Sequence, residues 1–310
     1  MRRFRQALAR LLPEEARVGL AVSGGPDSLA MLLLANAGVP GQFEVATVDH
    51  GLRAEAAQEC ALVGQHCQAL GVRCTTIEVE VGEGNLQERA RTARYAALAR
   101  WAEERGLAAI ATAHHADDQA ETLLRRLNRG SGVAGLAGIR ERAVLAATDP
   151  PLLVIRPLLG FRRSELAEVV AAAGIEASCD PSNANDRFDR VRIRKALAAT
   201  DWLDPVAAAR SASHLAEAED ALAQYAGLLW SRHVELAGGA ATFQPAVPRI
   251  MRLRIVERIL AELGGEARGG EIARLVDGLE SGRGGNLGGI LATVDGDRWV
   301  FRREPPRRTA

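Results

Sequence analysis

The first half of the chain alternates short apolar runs with longer stretches of helical periodicity. Residues 18–22, 43–48, 73–79, 108–113 and 152–155 have the length and apolar content of buried strands. Between them, residues 27–37, 54–70, 86–105 and 117–129 repeat apolar positions at the spacing of helices that cover a core. Strict alternation of this kind predicts an α/β fold, a parallel sheet with helices on both faces, whose ligand site lies beyond the C-terminal ends of the strands. The pattern changes near Trp202 and Pro205. Residues 206–230 read as a long alanine-rich helix, 249–263 and 271–279 as shorter helices, and 290–301 as a small β-like tail behind a glycine-rich stretch. The expected organisation is a parallel-sheet α/β domain over 1–204 and a smaller, mostly helical C-terminal domain over 205–310.

Composition narrows the class without naming a function. With 310 residues, 47% hydrophobic and 25% charged, the chain can bury a sizeable core and carries no signature of disorder. Its formal net charge is zero, so a nucleic-acid partner would have to be met by local basic patches instead of a global positive field. Cys60, Cys67, Cys74 and Cys179 form no CxxC pair, which fits a reducing compartment. No apolar run approaches the roughly 18 residues of a membrane span. The basic start Met1-Arg2-Arg3-Phe4-Arg5 leads into an amphipathic pattern, not a signal-peptide core, so the expected location is cytoplasmic.

The chemistry is concentrated at three strand ends. Ser23-Gly24-Gly25-Pro26-Asp27-Ser28 follows the first strand and opens a helix. Two glycines let the backbone approach an anion, two serines add hydroxyls, and the helix turns its positive end toward the bound group. This is not a Walker A loop, because Lys195 is the only lysine in the chain. Asp49-His50-Gly51-Leu52-Arg53 follows the second strand and His114-His115-Ala116-Asp117-Asp118 the fourth. Asp118 and Glu121 are three apart and share a helix face, as an acid/base pair would, whereas Asp117 suits a helix cap. His114 and His115 with two aspartates and a glutamate suggest a metal or general acid/base cluster, but the histidines lack the spacing of a closed zinc site, and ligand binding through strand-end positioning, or helix entry, explains them better.

Ser-Gly-Gly-x-Asp-Ser resembles the signature of the PP-loop, or N-type ATP pyrophosphatase, superfamily. The string from Ala113 to Gly132 resembles a hallmark of the tRNA(Ile)-lysidine synthetase family in particular. Val48 to Arg53, Arg156-Pro157-Leu158-Leu159, Asp180-Pro181-Ser182-Asn183 and Phe188 to Arg194 match the same family in the same order, over well more than half the chain. The resemblance implies a ligase that uses ATP to adenylate C2 of the wobble cytidine of an isoleucine tRNA with a CAU anticodon. Free L-lysine then attacks through its ε-amine, giving lysidine with release of AMP and pyrophosphate. Carried over by position, Ser23, Gly24, Gly25, Pro26, Asp27 and Ser28, with His50 and Arg53, would bind ATP, and Asp27 would hold Mg²⁺. Asp118 and Glu121 would handle the lysine or its proton; Arg190 and Arg194 would contact the activated nucleotide or RNA phosphate. The resemblance also suggests that the C-terminal domain contacts tRNA and that the protein is a homodimer. Val191 departs from the asparagine usual at that position. The glycine-rich stretch 130–138 reads equally as a mobile loop over the site and as a connector.

Three alternatives share parts of this pattern. A PP-loop tRNA thiolase needs paired reactive or cluster-binding cysteines. A small-molecule amide-forming synthetase would activate a carboxylate without RNA. A non-catalytic tRNA-binding protein should have eroded the loop or the acidic pair, and both are intact.

Overall fold

The computed structural model describes residues 1–51, 54–80, 82, 86–178, 189–267 and 269–304. The chain forms two compact units, Met1–Ala216 and Glu217–Ala310.

The first unit opens with α1 (Arg2–Leu11), which buries Phe4, Ala7, Leu8 and Leu11, the i, i+3, i+4, i+7 stripe of an amphipathic helix. There follow β1 (Val18–Ala21), α2 (Pro26–Gly38), β2 (Phe43–Asp49), α3 (Ala54–Ala69), β3 (Cys74–Glu78), α4 (Leu86–Glu104), β4 (Ala109–Ala111) and α5 (Ala116–Asn128). Next come a short α6 (Val133–Leu136), β5 (Arg142–Leu145), β6 (Leu152–Ile155), α7 (Arg163–Ala172) and α8 (Asp189–Ala198). The sheet order is β3-β2-β1-β4-β6-β5, with the first five strands parallel. One correction concerns β5: it pairs antiparallel with β6 at the sheet edge, where the expected sheet had only parallel strands. The link from β5 to β6 is six residues long, too short for a parallel crossover but sufficient for a hairpin.

The period of two in the strands sorts side chains between the faces. Val45, Ala109, Ala111 and Ile155 enter one core with α1, α2, α3 and α7; Ala46, Ile110, Leu152 and Val154 enter the other with Tyr95, Leu98, Trp101 and Ala102 of α4. α2 is buried nearly all round, from Ser28 to Ala35, which explains its unbroken apolar run. At the opposite rim from the predicted ligand site, buried Glu44 receives Arg17 and Arg105, with Arg73 3.8 Å away.

A long helix, α9 (Pro205–His233), carries the chain into the second unit. There, β7 (Val234–Ala237), β8 (Ala240–Phe243), α10 (Arg249–Glu262), α11 (Gly269–Glu280), β9 (Gly285–Leu287), β10 (Ile290–Asp295) and β11 (Arg298–Arg303) complete it. The three helices lie close to their expected bounds. The strands exceed the expected tail, forming an antiparallel sheet in the order β7-β8-β11-β10-β9. Its core centres on Phe243 and Trp299, edge to face with ring centroids 5.6 Å apart. Among the described residues no helix is long and apolar enough to cross a membrane.

Candidate active site

The ends of β1 and β4, adjacent in the sheet, bring the glycine-serine loop beside the start of α5. The loop is pre-shaped by its own backbone. Gly24 has φ +83°, and a Cβ there would stand 3.1 Å from Ser178 Oγ, so both the conformation and the space call for glycine. Ser28 Oγ donates to Gly25 O (2.9 Å) and accepts from Ser23 N (3.2 Å), drawing the loop around the first turn of α2. Gly25 is the N-cap and Pro26 occupies the first turn, where its missing N–H is no loss. The helix start therefore presents backbone amides to an anion, as a phosphate cradle requires.

His115 joins this loop to α5. Its ring is 2% exposed, and Nε2 lies 3.4 Å from Asp27 Oδ2 and 3.5 Å from Asp118 Oδ2, while Nδ1 is 3.5 Å from Asp117 Oδ2. Burial would lower the pKa of this histidine, but hydrogen bonds to Asp117 and Asp27 and the charge of Asp118 outweigh it and raise it to about 9. The ring is thus an imidazolium at neutral pH. In that state Nδ1 donates to Asp117 and does not cap the Asp118 amide, 3.4 Å away, which the neutral ring would do. Asp117, which burial alone would push up, is held below its ordinary value by His115 and by the Arg163 amide.

Asp118 and Glu121 are both buried on α5, and Asp118 Oδ2 accepts the His115 amide at 3.1 Å. Glu121 is bound from α8: Arg194 Nε donates to Oε1 at 2.7 Å and Nη2 to Oε2 at 3.4 Å. Val191 is buried on the same helix, an apolar side chain where the family pattern has asparagine. The stretch 130–138 is tied to α5. Arg126 Nη1 donates to Gly135 O (2.5 Å) and Gly138 O (3.1 Å), and the Gln119 amide exchanges hydrogen bonds with both backbone groups of Ile139. His50 follows β2 and is half-buried; burial and then Arg94 lower its pKa. Arg53, the Asp180 to Asn183 motif and Cys179 lie outside the described residues, as does the side chain of Arg190.

Asp27 fits a Mg²⁺ site of the kind completed by nucleotide phosphates and water: it is half-buried, at the cradle, and already shares one oxygen with His115. Among the described residues no group of three or more His, Cys, Asp or Glu is arranged to hold a metal by itself. The described cysteines are free thiols, with Cys60 and Cys67 buried.

Sequence reading singled out the loop and the acidic pair and assigned His115 to strand-end positioning or helix entry, without its contacts to three carboxylates. It also overlooked Arg94 and Arg156, although Arg156 stood in a quoted motif and an apolar sheet-end position for arginine was a usable signal.

A parallel sheet with a glycine-serine phosphate loop after its first strand, and buried carboxylates at the neighbouring strand end, defines an enzyme of the PP-loop ATP-binding class. The family model described as PP-loop domain matches residues 1–200. The chain is 46% identical, over 99% of its length and 94% of the relative, to the tRNA(Ile)-lysidine synthase of Novosphingobium aromaticivorans. It is 39% identical to that of Zymomonas mobilis over its whole length and 96% of the relative. The chain belongs to the tRNA(Ile)-lysidine synthase family. In fold alone, it is similar to the U34-tRNA thiolase NcsA from Methanococcus maripaludis, with a TM-score of 0.55 at 17% identity over 70% of this chain and 79% of that one.

Proposed function

We propose that this enzyme converts the wobble cytidine of an isoleucine tRNA with a CAU anticodon to lysidine, so that the tRNA reads AUA instead of AUG. The observation that carries the reading is the juxtaposition of a pre-shaped phosphate loop with buried Asp118 and Glu121, within a chain similar to lysidine synthases over its full length.

In the first step the C2 oxygen of the cytidine attacks the α-phosphorus of ATP; a P–O bond forms, the α–β linkage breaks, and pyrophosphate leaves. The Gly24, Gly25 and α2 amides hold the departing phosphates, and the Ser23 and Ser28 hydroxyls line the same cradle. Mg²⁺, when bound at Asp27 with the nucleotide, offsets charge at the α-phosphate. In the second step the lysine ε-amine attacks C2 and AMP leaves. The amine is an ammonium at neutral pH and must lose a proton first, which is the task of Asp118 and Glu121. Without substrate, Glu121 is neutralised by Arg194. An anionic adenylate that draws Arg194 away frees Glu121 as an acceptor, which orders the two half-reactions. Arg190, His50 and Arg53 complete the nucleotide and RNA contacts in this reading, and residues 205–310 add contact to the tRNA body. A cytoplasmic location follows from the substrate; a homodimer rests on family resemblance alone.

The test is incorporation of radiolabelled lysine into an unmodified isoleucine tRNA transcript, with ATP and Mg²⁺. ATP-dependent label on this tRNA and none on a methionine tRNA with the same anticodon is the expected result. Folded, ATP-binding protein that transfers no lysine would overturn the reading.

A further inference from the structure

Arg156 leaves β6 directly beside the exit of β4, where the Thr112 amide donates to Ile155 O at 3.0 Å. It is therefore one strand away from the turn that carries His115 and Asp118. Only 6% of Arg156 is exposed; Nη1 donates to Arg140 O at 2.6 Å, and the buried Nε–H has no acceptor. Tyr95, buried on α4, links this side chain to two others. The guanidinium carbons of Arg91 and Arg94 stand 4.8 and 5.3 Å from its ring centroid, and its hydroxyl raises the pKa of both Arg94 and Arg156 against the effect of burial. The Nδ1 atom of neighbouring His50, also buried, has no partner either.

Among the described residues no carboxylate pairs with Arg94 or Arg156. Burial, with the nearby charge of Arg91, holds both guanidiniums below their ordinary pKa. The buried carboxylates of the unit, by contrast, are matched, Glu44 by its arginines and Glu121 by Arg194. Desolvating a guanidinium without a counter-charge is expensive, and the missing partner is then an anion that arrives with a substrate. A planar guanidinium fork suits a carboxylate, which can accept two parallel N–H bonds. In the reaction proposed above, the loop takes the ATP phosphates and the acidic pair takes the amine. The α-carboxylate of the amino acid is the one anionic group still without a cation.

We propose that Arg94 and Arg156, linked through Tyr95, bind the α-carboxylate of the free amino-acid co-substrate while its distal amine lies at Asp118 and Glu121. This rests on the lysidine reading of the function.

The experiment compares lysine with lysinamide, which keeps the ε-amine and lacks the carboxylate charge, as acceptors of the adenylated tRNA. Wild-type protein is expected to use lysinamide about 10- to 100-fold less efficiently in kcat/KM, the size of a charge-assisted contact. In Arg94→Gln, where the side chain is half-buried and its loss is compatible with folding, KM for lysine rises toward that for lysinamide and the preference collapses. Arg156→Gln serves as the second variant, accompanied by a melting curve because the site is buried. A merely structural role would lower both substrates together and leave their ratio unchanged. An unchanged ratio in folded Arg94→Gln, or wild-type protein indifferent to the carboxylate, overturns the proposal. Wild-type protein that forms no adenylated tRNA instead removes the functional reading on which it stands.

Discussion

Arginine does opposite work in the second unit and at the C-terminal rim of the first sheet. In the second unit it is stapled to partners that stay put. Arg254 forms a two-pronged pair with Glu219, Arg258 lies 4.0 Å over the Trp230 ring, Arg252 meets Glu280 at 2.8 Å, and Arg303 Nε donates to Leu263 O at 2.7 Å. This last bond makes Arg303 a brace. At the C-terminal rim of the first sheet, half-buried Arg94 and buried Arg156 lie by Tyr95 with no carboxylate among the described residues, and Arg194 sits on Glu121, which the proposed reaction needs as a proton acceptor. The difference teaches that arginine count says little about function in this chain. What sets Arg94 and Arg156 apart, in the proposal above, is desolvation with no carboxylate partner among the described residues, which only the folded protein shows.

The largest effect expected at the rim comes from Asp118→Asn, which keeps shape and removes charge. Lysidine formation should fall by about 10²- to 10⁴-fold, the range of a lost acid/base group, while tRNA binding by filter retention persists. Near-normal turnover would remove Asp118 from the chemistry and blur the contrast between the regions.

A second expectation concerns His115. Its folded pKa of about 9 exceeds the ordinary 6.5, so its stabilisation is complete below 6.5, declines as pH rises, and is gone above 9. Asp117 is depressed below 3.8, so the same interaction, counted once, is present above that value and lost as pH falls through the depressed one. At 1.36 kcal/mol per unit the network contributes about 3 kcal/mol on its plateau. Urea midpoints of wild type and His115→Gln should converge between pH 6.5 and 9; parallel curves would show the ring to be neutral.

In the second unit, Arg254→Ala should cost about 1–3 kcal/mol by stranding Glu219, read as a lower melting temperature with the lysine-to-lysinamide ratio intact. A changed ratio would dissolve the division between brace and ligand group. The smallest effect belongs to Arg249→Ala: both it and its partner Asp277 are about half exposed, and the melting curve should not move measurably.

Contiguous signals were legible before folding. The loop from Ser23 to Ser28 is built from residues that are neighbours in the chain, and it presents backbone amides after two glycines, which residue identity alone announces. The alternation of apolar runs and helical periods reports the parallel layers because burial on both faces of a strand demands it. The pairing of Asp118 with Glu121 on one face follows from the pitch of a helix. Residue identity and local periodicity therefore decided the class of fold, the cradle and the acidic pair. The tertiary structure alone decided that His115 holds a proton among three carboxylates, that Arg194 neutralises Glu121 from 73 positions away, and that Arg94 and Arg156 meet no carboxylate among the described residues. Charge states and pairings depend on burial and on distances across the chain, and neither is encoded in the local spacing of residues.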